Sequence, residues 1–417
     1  MENTLMPTSL SEKFIPGLET DYKLISTVDE AKFFFGPIPH TERIWRSVVY
    51  FDPLATSPRS KLGIGEHDRA ESYIFGNGDF PKVDFNAHNS HFPVCVKVLR
   101  IPELFLDENE ELDLSTVPEE FPWDTRDSEL YLHLTVDRLI LSKGSNLIVN
   151  GNVLILNCNE AFGTELHDGF TSISIGTSDK VQELSFARTK PVKDESKNGS
   201  DGINGTSAHA YTLESTPIGM RLFSDEGTGK GGDGQNGTDG LKGDNGRNGA
   251  MLYLCDIRFN KLTGFAPRSF HIHAKAGKGF PGSNGGDGGN GGSGGEGTTG
   301  IVTPFGSFPG FPGGNGGNGG NGGNGGKGGS GGMSCAIFLS VPKGCSDVFL
   351  PKTEPSIGGI GGKGGQGGKG GLCDSNETTF ELPGYLSTVN GKDGLNGLNG
   401  MNGKSREAPP VHIFERS

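Results

Sequence analysis

The sequence contains no apolar run long enough to cross a bilayer as a helix, which predicts no transmembrane segment. It has no basic excess: 37 Lys and Arg stand against 50 Asp and Glu, a net charge of -13. Nucleic acid is therefore not an expected partner, because phosphate attraction needs clustered cations. The opening stretch MENTLMPTSLSEKF lacks the apolar segment of a signal peptide, so classical export is not expected. Cysteine is sparse, six residues in 417 with no C-x-x-C pair. That argues against a disulfide framework, although Cys335 and Cys345 are close enough in sequence to bridge a hairpin. No H-E-x-x-H or P-loop occurs, and the G-x-S-x-G matches at 291–295 and 328–332, like the G-x-G-x-x-G matches, arise automatically from the glycine pattern. No cofactor is expected.

Glycine is what the chain has in quantity, 72 residues, concentrated in the second half. The spacing is regular. Glycines fall every third residue over 231–249, 279–300, 310–331, 361–370 and 391–403, with a short precursor over 199–205. A flexible linker has no reason to keep a strict period of three. The first and fifth runs carry one glycine per triplet (GTDGLKGDNGRNG, GKDGLNGLNGMNG). The middle three carry two (GGDGGNGGSGG, GGNGGNGGKGG, GGKGGQGGKGG). A bare face lets another backbone lie close, so the middle runs are expected inside and the outer two at edges.

Three residues per turn is the polyproline II period. Collagen is excluded by the scarcity of proline in these runs and by the apolar stretches between them. The fold class expected is mostly β, in three parts. Residues 1–125 form an N-terminal β-rich domain, on the evidence of runs such as Val94 to Ile101. Residues 126–223 form a short β-solenoid-like region, from the short, evenly spaced strands of LYLHLTVDRLILSKGSNLIVNGNVLILNC; a β-sandwich competes with it. Residues 224–417 form a polyglycine II helix bundle whose connecting segments are strands or loops.

Repeated GGxGGxGG runs alternating with apolar and aromatic segments resemble the receptor-recognising adhesins at the tips of T-even-type phage long tail fibres. The likeness covers about 225–403. Snow-flea-type antifreeze proteins are similar in their glycine runs, and solenoid-type bacterial surface proteins in the combination with short strands. The resemblance implies a rigid glycine-rich scaffold that presents connectors to a receptor.

Aromatic side chains in the connectors are the expected contacts: Phe305, Phe308 and Phe311 in TPFGSFPGF, and Tyr385. Burial as plugs is the equal alternative. Asp84, His88 and His91 in DFNAHNSH are weak metal-ligand candidates, as are His271 and His273, which alternate along one strand face. Asp137, Glu160 and Asp168 are the carboxylates that hydrolase or lyase chemistry would use. The reading carried forward is a non-enzymatic recognition or adhesion protein. Its partner is a cell-surface receptor or glycan, and its place is outside the cell or on a virion, reached by a non-classical route, with the cytoplasm as the open alternative. A toxin or other host-directed effector acting through residues 1–125 is the alternative, and an ice-binding protein the third reading.

Overall fold

The computed structural model describes residues 8–9, 13–36, 38–51, 74–76, 92–125, 129–164, 169–177, 198–207, 212–223, 230–304, 306–308, 310–373 and 388–416. Its strands, in chain order, begin with β1 (Thr8–Ser9), β2 (Glu19–Ile25), β3 (Val94–Leu106), β4 (Glu111–Asp113), β5 (Leu130–Leu141) and β6 (Asn146–Asn150). There follow β7 (Val153–Gly163), β8 (Thr171–Gly176), β9 (Thr212–Thr216), β10 (Gly219–Phe223), β11 (Cys255–Thr263) and β12 (Phe270–Lys275). The last five are β13 (Ile301–Thr303), β14 (Gly306–Phe308), β15 (Ile337–Pro342), β16 (Phe349–Glu354) and β17 (Val411–Arg416). Two short α-helices, α1 (Val28–Phe34) and α2 (His40–Arg46), precede β3.

Two large sheets result. One has seven strands in the order β17-β15-β11-β7-β5-β3-β2, the other six in the order β1-β4-β6-β8-β12-β16. Every pairing in them is parallel except that of β2 with β3. Register stacks like on like. Leu99, Leu134, Leu156, Ile257, Leu339 and Ile413 form one ladder across the seven-stranded sheet. Leu112, Leu147, Ile173 and Ile272 form the facing one. These side chains belong to one core between the sheets, joined by Phe259, Phe270 and Phe349 with ring centroids 5.1 to 5.7 Å apart.

The seven-stranded sheet is buried on its other face too. There Val96, Val98, Tyr131, Ile155 and Phe338 pack with Val28, Ala31 and Phe35 of the helical segment. Burial on both faces explains why VCVKVLRI reads as a near-continuous apolar run, whereas β6, covered on one face, alternates. Thr27 caps α1 by accepting from the Glu30 N–H at 3.1 Å, and Glu30 reaches back to the Ser26 N–H at 2.8 Å.

The expected fold class is overturned. Among the described residues the chain is an α/β-type arrangement of two large sheets with two short α-helices. It is not a β-rich domain, a short solenoid and a polyglycine II bundle in series. The physical reason lies in the connectors, which the sequence reading left open between strands and loops. Those at Cys255–Thr263, Phe270–Lys275, Ile337–Pro342 and Phe349–Glu354 are strands of the two sheets. The glycine runs, neither α-helix nor β-strand, prolong those strands: β11, β15 and β17 are entered from the first, third and fifth runs, and β12 and β16 lead into the second and fourth.

Candidate functional site

The glycine runs make a block held by backbone hydrogen bonds. In the first run, Gly231, Gly234 and every third residue to Gly249 donate to carbonyls from Pro312 to Ser330 of the third. Residues Gly316 to Gly331 donate in the same way to Val389 through Lys404, so the first, third and fifth runs lie parallel in one layer. The leading, second and fourth runs form a second parallel layer, through Gly199 to Asp287 and Gly279 to Ile357 and their period-three successors. Between layers the bonds are antiparallel, for example Phe280 to Arg247 and Gly292 to Gln235. Bond lengths run from 2.7 to 3.0 Å across the block, so few backbone donors depend on water.

Asn and Asp residues complete the lattice. Asn236 Oδ1 accepts from the Asn318 N–H at 2.7 Å, while the next residue, Gly237, donates to the Asn318 carbonyl at 2.8 Å. One Asn-Gly pair thus grips both polar groups of a single residue on the neighbouring run. Asn315, Asn318, Asn321 and Asn324 repeat the grip on Val389, Lys392, Leu395 and Leu398. At the outer edge, Asn396, Asn399 and Asn402 of the fifth run accept from Gly367, Gly364 and Gly361, the groups a further run would otherwise have taken.

Each pair of runs leaves the six-stranded sheet and returns to the seven-stranded one, so the turns between them gather at the end of the block farthest from the sheets. Thr298 and Phe311 close the second-to-third turn with a backbone bond at 3.0 Å, and the Phe311 N–H donates to Thr298 Oγ1 at 3.2 Å. The Cys373 N–H meets Asn390 Oδ1 at 2.8 Å where the fourth run ends and the fifth begins. The β13–β14 hairpin projects here with Val302 75% exposed. The β9–β10 hairpin, between the leading and first runs, ends in Ile218, fully exposed. From this tip a row of exposed side chains, Val389, Lys392, Leu395, Leu398 and Met401, follows the fifth run back toward the sheets.

The structure places the sequence candidates unevenly. Phe311 is half-buried at the base of the tip hairpin, and Phe308 closes β14 opposite Ile301. Phe305 and Tyr385 lie outside the described residues, as do Asp84, His88, His91 and Asp168. Glu160 is paired with Lys261, and Asp137 is exposed on β5. His271 and His273 share the outer face of the six-stranded sheet, 5.8 Å apart, with Phe170 stacked on His271 at 4.3 Å. Burial and the neighbouring Lys352 cation lower both imidazoles. No group of three metal-ligating side chains occurs among the described residues. All six cysteines are free thiols, and burial pushes Cys158 up to about 12.

Sequence reasoning missed a buried ionic cluster beneath the helices. Arg46 of α2, fully buried, donates to Glu42 at 2.7 Å and to Asp256 of β11 at 2.8 Å, and lies over the Phe338 ring at 4.6 Å. Ser340 donates to Glu42, and Arg258 also pairs with Asp256. Burial pulls the Asp256 carboxyl upward, but the Arg258 and Arg46 guanidiniums hold it well below the usual carboxylate range. The signal was an acid and a base alternating with apolar residues in CDIRF. The cluster pins α2 to the sheet through Arg46, whose Nη1 has no hydrogen-bond partner among the described residues.

His133 lies beside this cluster, bonded through Nε2 to Asn157 at 3.0 Å, and burial and the Arg258 and Arg100 charges lower it to about 4. The unfolded imidazole takes its proton near pH 6.5, while the folded one resists until about pH 4. Its contribution is therefore full above the unfolded value and is lost on acidification between the two, about 3 kcal/mol at the acid end. His133→Asn is expected to flatten the denaturant-midpoint profile across that window. Parallel profiles for the two proteins would assign the acid sensitivity elsewhere.

Among the described residues, no helix is long and apolar enough to cross a membrane. Comparisons with protein-family models, curated proteins and solved structures find no match.

Proposed function

We propose that this chain is a non-enzymatic recognition protein whose glycine block presents connectors to a cell-surface receptor or glycan. The observation that supports this reading is the gathering of turns at the distal end of a backbone-bonded block, with exposed Val302 and Ile218 at that end. A rigid scaffold carrying apolar turns is a common binding solution, because ordering costs are met before the partner arrives. The resemblance to tail-fibre tip adhesins supports the same reading, and with it a proposed working location outside the cell or on a virion.

The contact residues proposed are Phe305, Phe308, Phe311 and Tyr385. Phe305→Ala combined with Phe308→Ala is expected to weaken binding to target cells by about 2 kcal/mol or more, roughly thirtyfold in Kd, at an unchanged melting temperature. A glycan array and a cell-binding assay supply the readout. A normally folded double variant that binds as before would remove the tip from the reading. One that fails to fold would make these rings core.

A further inference from the structure

We propose that the Asn-Gly pairs of the glycine block form a deamidation latch, shut while the lattice is intact and sprung irreversibly once it opens. Asn-Gly is the most reactive dipeptide for succinimide formation, because glycine leaves its nitrogen sterically open. After the Gly N–H loses its proton to base, the nitrogen attacks the Asn Cγ, a C–N bond forms and ammonia departs with Nδ2. Water then opens the ring at either carbonyl, giving aspartate or isoaspartate.

The lattice holds both reactants apart. At Asn321, Oδ1 accepts from the Leu395 N–H at 2.9 Å, and the Gly322 N–H donates to the Leu395 carbonyl at 2.8 Å. The nucleophile's proton is engaged, and the electrophile is turned toward another run. Asn236, Asn284, Asn290 and Asn324 are held in the same way, and Asn399 by two residues of the fourth run. Every described Asn-Gly pair of the block has its glycine N–H in such a bond.

The two products differ in consequence. Aspartate fits, because Asp233, Asp239 and Asp287 already occupy equivalent positions and accept the same kind of bond at 2.6 to 2.9 Å. Isoaspartate does not, because it adds a methylene to the backbone and shifts every later residue off the three-residue register. One such residue in a middle run misplaces the donors of two neighbours. Unfolding thus becomes irreversible through covalent change rather than aggregation alone.

The test uses the full chain, held in parallel in native buffer and in urea at mildly alkaline pH. Isoaspartate in peptides carrying Asn321 and Asn399 is measured by mass spectrometry. Formation in the folded chain is expected to be slower by on the order of a hundredfold or more, since it requires opening of a structured element. After dilution from urea, the refolded fraction should fall in step with isoaspartate content, and an isoaspartyl methyltransferase should restore it. Asn321→Asp should fold and melt as the parent does. Equal rates in the two states, full refolding of isoaspartate-bearing chains, or failure of a briefly unfolded chain to refold would each overturn the latch. So would an Asn321→Asp chain that does not fold, since charge rather than backbone length would then be the fault.

Discussion

Gly322→Val and Gly319→Val are each expected to collapse the glycine block and lower the melting temperature sharply. A Cβ at Gly322 would lie 2.1 Å from the Gly365 carbonyl oxygen, and one at Gly319 would lie 2.1 Å from that of Gly368. Both obstacles are backbone, and neither can retreat: Gly365 and Gly368 are themselves bonded to Gly323 and Gly320 at 2.8 Å. Ordinary overpacking costs about 1–3 kcal/mol because side chains can shift. Here a run must leave the lattice, so the loss should exceed that range. Calorimetry and limited proteolysis within 310–332 measure it. Lys392→Ala, on an exposed row of the fifth run, should stay within about 0.5 kcal/mol as the matched control. Unchanged melting in both valine variants would contradict a block held by backbone bonds.

Arg46→Met is expected to cost about 3–5 kcal/mol, because it leaves the Glu42 and Asp256 carboxylates in a site both share with no solvent. The larger informative effect is the coupling. Glu42→Gln with Arg46→Met removes the charge together with its partner and should cost clearly less than the sum of the single changes. Denaturant midpoints of the four proteins give the cycle. Additive losses would mean that the three groups act independently, against the geometry in which Arg46 bridges a helix and a strand.

The period of three was legible in the sequence, and with it the ordering of the glycine runs, because only close backbone approach demands glycine at fixed intervals. The contrast between one-glycine and two-glycine runs did not fix the number of neighbours: the first run and the fourth each have three, and the fourth lies at the edge of its layer. The fifth run, with one glycine per triplet, does lie at an edge, its Asn side chains capping the fourth. The strands of 130–163 could be read from their apolar content and turn residues. What the sequence alone could not decide is where those strands go. β11, β15 and β17 are separated from β7 by glycine runs, yet they continue its sheet in that order with β11 beside β7, because parallel pairing joins residues about a hundred positions apart, as Leu156 with Ile257. Local pattern carries no information about such partners. Nor does it identify Arg46 and Asp256 as neighbours across 210 residues, since a buried charge is tolerated only when a distant opposite charge arrives to meet it. Periodicity and turn chemistry act between near neighbours and so reside in the sequence. The joining of runs to sheets, and of the helices to β11, exists only once the chain has closed on itself.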